Sequence, residues 1–321
     1  MKNTNDVRAG SMGIPFLCVI LLLITFPASL NAWNHSEIKW KTIKTDHFEI
    51  HYHNGEEWSA GQAAVIAEQV YGPVTDFYGY EPGGKVHIII SDKEDKSEGA
   101  AFYYLNRIDI SATDLDFFLR GTARWLKNVI THEFTHIVSI QRAMKMPMIV
   151  PSIYLQVVSF EREKRPDVIT GYPNFQASMP VAGEVVPGWF AEGLAQYQCG
   201  LARNDIWDSH RDMILRVATL NDALLSIDEM GVFGKNSLRS EMVYNQGFSM
   251  VRFISERYGY DKLVELVYAL SRFYRWTFDG ACKKVLDISE KELYRMWKEE
   301  LEERYGKFAA EVKEKKREGC R

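Results

Sequence analysis

Between Thr122 and Ala143 apolar side chains recur at helical spacing (Trp125, Leu126, Val129, Ile130, Phe134, Ile137, Val138, Ile140), and among them stands His132-Glu133-Phe134-Thr135-His136. So many apolar positions cover more than one stripe, which predicts a helix buried on most sides. Two imidazoles and a carboxylate inside such a helix need partners, because burying them unpaired is costly. Positions i and i+4 stack on one helical face, so His132 and His136 can grip one metal ion while Glu133 projects beside them. A hydrolytic zinc site takes three protein ligands and keeps a fourth position open. The chain must therefore fold so as to bring a third ligand to this helix, unless the two histidines are simply satisfied core residues.

A candidate third ligand lies 56 residues beyond His136. In Val186-Pro-Gly-Trp-Phe-Ala-Glu-Gly-Leu-Ala-Gln-Tyr197, Glu192 is the single carboxylate of an otherwise apolar short helix, opened by Pro187 at a first-turn position. A metal would compensate the burial of that carboxylate. The plainer alternative is an exposed glutamate whose small neighbours, Ala191 and Gly193, allow close packing. Trp189 and Phe190 read as packing residues behind the helix.

Ahead of these helices the periodicity is different. Lys2 and Arg8 precede an uncharged, mostly apolar run from Met12 to Phe26, followed by small and polar residues to Ala32. Residues 1–32 thus read as a secretory signal peptide, and the chain as exported; an uncleaved anchor is the alternative, although the run is shorter than the ~20 residues a spanning helix needs. Trp40 to His53 alternates like one half-buried strand, Glu57 to Phe77 has helical spacing ending at Gly79 to Gly84, Val86 to Ile90 suits a buried strand, and Ala100 to Ile110 a second, more polar one. Helical periods follow at Pro187 to Gln198, Trp207 to Leu220, Tyr244 to Tyr258, Asp261 to Phe273 and Lys291 to about Lys313. The Pro-punctuated Met148 to Phe160 reads as a helix or loop packed on the core, with a cleft-lining or membrane-touching loop as the alternative. Together these predict an α+β fold, residues 33–310, with an N-terminal mixed β-sheet (about 38–115), a helical C-terminal half (about 116–310) and a charged tail, 311–321.

Other chemistries lack their residues. With 43 acidic against 39 basic side chains the net charge is −4, which gives no basic face for nucleic acid. Beyond the signal segment Cys199, Cys282 and Cys320 permit one disulfide but form no CxxC pair. No Walker A or dinucleotide-binding glycine pattern is present, and Ser249 lacks the second glycine of a nucleophile elbow. His47, His51 and His53 share a strand without a visible third ligand, so a structural role is expected of them. His210 reads as a surface or salt-bridged residue.

HEFTH followed by PGWFAEGLAQY resembles the gluzincin metallopeptidases, and most closely the exported peptidase-MA-like domains, over roughly Trp40 to Tyr305. The resemblance implies a zincin-like, thermolysin-type fold with His132, His136 and Glu192 as Zn2+ ligands and Glu133 as general base toward a zinc-activated water that hydrolyses peptide bonds. It implies that Tyr244, in Tyr244-Asn245-Gln246-Gly247 at the start of a later helix, donates to the tetrahedral intermediate. It also implies a peptide or protein substrate, held by strand addition along Ala100 to Ile110, and a periplasmic or extracellular location. Peripheral association with a membrane or envelope stays open, as does oligomeric state. The sequence departs from the family where some gluzincins keep an Asp to orient a zinc histidine, since Gln196 stands there. It also lacks the aminopeptidase exopeptidase motif around Ala100 to Asp109, and it lacks propeller repeats. The alternative is a non-catalytic envelope interaction module on the same fold, with a retained or structural zinc site.

Overall fold

Thr45 and Asp46 interrupt the alternation of the first strand region, and the chain turns there. In the computed structural model, which describes residues 38–93, 97–113, 124–146, 154–160, 173–180, 185–231, 233 and 237–319, Trp40–His53 is a hairpin and not the single strand its alternation predicts. Strand β1 (Trp40–Lys44) pairs antiparallel with β2 (Phe48–His53), Ile43 opposite Ile50. The Thr45 backbone N–H donates to the Phe48 carbonyl at 3.0 Å and closes the turn. The signal-peptide segment 1–32 and Cys320 lie outside the described residues.

Helix α1 (Glu57–Tyr78) follows and ends at Gly79, whose φ of 56° is a left-handed conformation that a residue without Cβ adopts freely. Strand β3 is Val86–Ser91. The single strand expected over Ala100 to Ile110 is two, β4 (Gly99–Phe102) and β5 (Arg107–Ser111), joined by a 3-10 turn at Tyr103–Leu105. Asn106 makes the reversal possible, taking a φ of 47° that asparagine tolerates and donating its amide to the Gly83 carbonyl at 2.9 Å.

These five strands form one mixed sheet in the order β1-β2-β3-β5-β4, with β2-β3 and β3-β5 parallel and the two outer pairs antiparallel. Strand alternation puts Phe48, Ile50, Val86, Ile88, Ile90, Ile108 and Ile110 on one face, all buried. Helices α1 and α2 (Trp125–Ala143) cover that face. Phe134 of α2 meets Phe48 edge-on at 5.2 Å and stacks on Tyr71 of α1 at 5.6 Å. Burying one such ring contributes roughly 1.5–3 kcal/mol, enough to fix the rotation of α2 and hence where its histidines point.

Among the described residues one strand pair interrupts the helical half. Within the stretch expected to be a helix or loop, Tyr154–Phe160 (β6) pairs antiparallel with Pro173–Pro180 (β7), in keeping with the β-branched and aromatic residues of Tyr-Leu-Gln-Val-Val-Ser-Phe. Helix α3 (Gly188–Leu201) then packs between α2 and α6. It is followed by α4 (Ser209–Leu220), a single turn α5 (Ile227–Met230), α6 (Ser237–Tyr258), α7 (Asp261–Leu270), α8 (Phe278–Val285) and α9 (Glu290–Gly319). Helix α6 starts two turns ahead of the expected Tyr244, so Tyr244 is interior to the helix. Helix α7 stops at Leu270, short of Phe273, and α8 has too few residues for its period to show in the sequence. Helix α9 continues through residue 310 into the charged tail, whose side chains at 311–315 are exposed.

The α3-α6 contact is backbone on backbone. A Cβ on Gly193 would overlap the Gly247 carbonyl, and one on Gly247 would overlap the Trp189 carbonyl. Behind α3 the rings of Trp189 and Phe190 are fully buried against Phe278, at 5.2 and 4.8 Å, as packing residues. After α3, Asp205 accepts a two-pronged bond from the buried Arg211 guanidinium at 2.8 and 2.6 Å, anchoring the loop into α4. Cys199 and Cys282 are separate buried thiols, so no disulfide joins them. Among the described residues no helix is long and apolar enough to cross a membrane.

Gly193→Ala should therefore lower stability by about 1–3 kcal/mol in urea or thermal melts, because backbone cannot yield to the new methyl. Gly200→Ala, on the same helix with nothing within 4 Å of the added carbon, should be neutral or slightly stabilising.

Candidate metal centre

Helices α2 and α3 bring the sequence-predicted residues together. His132 and His136, one helical turn apart, lie with ring centroids 4.7 Å apart, and both direct Nε2 at one oxygen of Glu192. The distances to Glu192 Oε2 are 2.9 Å from His132 and 3.2 Å from His136, and the three side chains are only 9 to 12% exposed. Two imidazole nitrogens and one carboxylate oxygen converging in a nearly dry setting are the donor set that zinc takes in hydrolytic sites. The residues present fit such an ion, and His132, His136 and Glu192 could hold it.

Glu133 is buried beside them. Strand β4 passes directly over it: a Cβ on Gly99 would lie 2.8 Å from Glu133 Oε1 and overlap Val129. Glycine at 99 thus lets the outermost strand lie against the general-base candidate, a contact the sequence pattern did not signal. Tyr244, although inside α6, still reaches the site, its ring 6.2 Å from that of His132 and 5.7 Å from Phe233.

Gln196 stands at the position where the resemblance implies an orienting Asp, and it makes no bond to His136. Both His136 Nδ1 and Gln196 Oε1 are buried without a hydrogen-bond partner among the described residues. Ser249 accepts from Trp297 Nε1 at 3.0 Å and is a core residue. His47 bonds Glu68 at 2.7 Å and stacks on Tyr71, while the His53 ring accepts from the Asp92 backbone, so both hold loops and strands together. His51 differs: it meets His87 and Glu49, ligand-type partners that strand pairing supplies and sequence proximity concealed.

Electrostatics tie Glu192 to the histidines. Burial disfavours charge on His136, but the Glu192 carboxylate, by charge and hydrogen bond, together with Glu133, pushes its pKa up to about 9. Burial likewise works against the Glu192 anion, yet the His136 charge and the hydrogen bonds from both histidines hold it well below the usual carboxylate range. The signs define a window. The raised His136 contributes stability below its ordinary value of 6.5 and loses it as pH climbs through about 9. The depressed Glu192 contributes above its ordinary 4.5 and loses it on acidification. With a chelator present, thermal melts should show the advantage of wild type over Glu192→Gln greatest between about pH 4.5 and 6.5, shrinking toward pH 9 and toward acid. A pH-independent gap would overturn the ion pair.

Comparisons with known proteins find the following similarities. Residues 176–303 match the Peptidase MA superfamily, a span that contains the Glu192 helix and begins after HEFTH. No curated protein matches the sequence. A mutant form of the M1 zinc metallopeptidase from Deinococcus radiodurans is similar at 10% identity and a TM-score of 0.40, with 81% of this chain and 52% of that one covered. A second structure of that metallopeptidase gives 10% identity, a TM-score of 0.38, and 81% and 51% coverage. The chain thus spans about half the length of those structures. Over residues 176–303, which include the helix that carries Glu192, the chain is similar to the Peptidase MA superfamily.

Proposed function

We propose that this chain is an exported zinc-dependent peptidase, acting on peptide or protein substrates in the periplasm or extracellular space. The observation that carries the reading is the convergence of His132 Nε2 and His136 Nε2 on Glu192 Oε2. Export rests on the basic-then-apolar segment 1–32. In this reading His132, His136 and Glu192 hold the ion. Zinc, when bound, supplies Lewis-acid polarisation of a carbonyl and lowers the pKa of water to about 7.

The chain's own groups supply the rest. Glu133 removes a proton from the attacking water and delivers it to the leaving amine, which requires a carboxylate held near the ligands without being one of them. Its burial under Gly99 keeps it there. Tyr244 donates its hydroxyl to the oxygen on which negative charge develops. Strand β4, outermost in the sheet order and resting against Glu133, offers backbone groups to an extended peptide. The strand-addition role expected of Ala100 to Ile110 falls to β4 alone, because β5 is flanked on both sides.

Metal analysis of the purified chain should give zinc at this site that His132→Ala and Glu192→Ala lose; full occupancy in either variant would sink the ligand assignment. Glu133→Gln should retain zinc while peptide turnover falls by roughly 10²–10⁴. Tyr244→Phe should retain zinc and lose roughly 10²–10³ in turnover, as for one missing oxyanion donor. An unchanged rate would leave Tyr244 a packing residue.

A further inference from the structure

The sheet has a second face, turned away from α1 and α2, and strand alternation places Glu49 and His51 of β2 and His87 of β3 upon it. Their positions follow from the register. Glu49 lies opposite His87 and His51 opposite Ile89 in the parallel ladder, so His51 and His87 are diagonal neighbours. On the other side, Thr42 of β1 pairs with His51 and Lys44 with Glu49.

Three donors result from this arrangement. His51 Nε2 and His87 Nδ1 are 2.9 Å apart, their rings nearly parallel at a 13° interplanar angle, and Glu49 Oε2 lies 3.9 Å from His87 Nδ1. Each side chain is half-buried, and one donor atom from each lies within 4.8 Å of the others. On His51 and Glu49 the atom not needed for a ligand is already engaged. Thr42 Oγ1 lies 2.9 Å from His51 Nδ1, leaving Nε2 directed at His87, and Lys44 Nζ is 3.2 Å from Glu49 Oε1, leaving Oε2 on the histidine side. Outer partners of this kind orient metal-binding imidazoles and carboxylates.

We infer that Glu49, His51 and His87 form a second divalent metal site, binding an ion of the zinc class through two imidazole nitrogens and one carboxylate oxygen. The donor set suits zinc, nickel and copper over calcium or magnesium, which take oxygen ligands. The site belongs to different elements from the α2-α3 centre and occupies the opposite side of the sheet. Its ion would join β2 to β3. Greater exposure and the positive charge of Lys44 make it the weaker and faster-exchanging of the two.

The test is zinc stoichiometry, measured by calorimetric titration of the chelator-stripped chain and by metal analysis after dialysis against zinc. Wild type should take two equivalents. His51→Gln with His87→Gln should take one, and that remaining equivalent is itself evidence that the variant is folded at the α2-α3 centre. Glu192→Gln should take one as well, and the triple variant none. Glu49→Gln, a milder change, should weaken the second equivalent at least tenfold and leave the first unaltered. Equal stoichiometry in wild type and the His51, His87 double variant would overturn the second site, as would a single wild-type equivalent that Glu192→Gln removes. If instead the α2-α3 reading is the one that fails, wild type keeps one equivalent that is indifferent to Glu192→Gln and lost with His51 and His87.

Discussion

A carboxylate that shares one oxygen between two imidazoles organises this molecule. Glu192 would be costly to bury alone, and so would His136, yet together they hold each other charged in a nearly dry interior. The consequence is geometric as much as energetic. Helices α2 and α3, separated by a long stretch of chain, must meet with a helical turn of one facing a single side chain of the other. Everything packed around them serves that meeting: Phe134 against the sheet fixes the rotation of α2, and the buried Trp189 and Phe190 press α3 from behind.

The distance between helices is set by glycine. Where Gly193 of α3 faces Gly247 of α6, and Gly247 faces the Trp189 carbonyl, no side chain stands between the backbones. Gly193 directly follows Glu192 in the chain, so any spreading of α3 from α6 would displace the carboxylate from the histidines. Gly99 does the same for the sheet, bringing β4 onto Glu133. Both contacts concern residues adjacent to a proposed ligand or the proposed base, which is where a displacement of even 1 Å is felt most in chemistry.

Much of this was legible in the sequence because its signal is local. The apolar spacing around HEFTH marked α2 as a buried helix, and the lone carboxylate in WFAEGLAQY marked Glu192. Their convergence required only that a metal-type site have a third ligand. Turns were harder: the Thr45 hairpin and the Asn106 reversal sit inside runs whose alternation continues on both sides, so two strands read as one. Helix α6 begins ahead of Tyr244 in polar residues that carry no apolar period. The β6-β7 pair lies in a stretch where a short apolar run fits helix or strand equally. The cluster of His51, His87 and Glu49 was out of reach altogether, since it depends on strand register, which only pairing establishes.

Two clusters of the same composition, two histidines and a glutamate each, thus lie on opposite sides of the sheet, and their difference is burial. In the α2-α3 centre, desolvation raises the cost of leaving the charges unpaired and so holds all three groups to one geometry. On the outer face the same groups are half in water, and Thr42 and Lys44 orient them where packing does not. A buried triad favours a tightly held ion with a restricted approach, which suits chemistry on a bound substrate. An open triad favours an ion that exchanges with the surroundings. Ligand identity alone cannot separate these behaviours; the depth at which the fold places the ligands does.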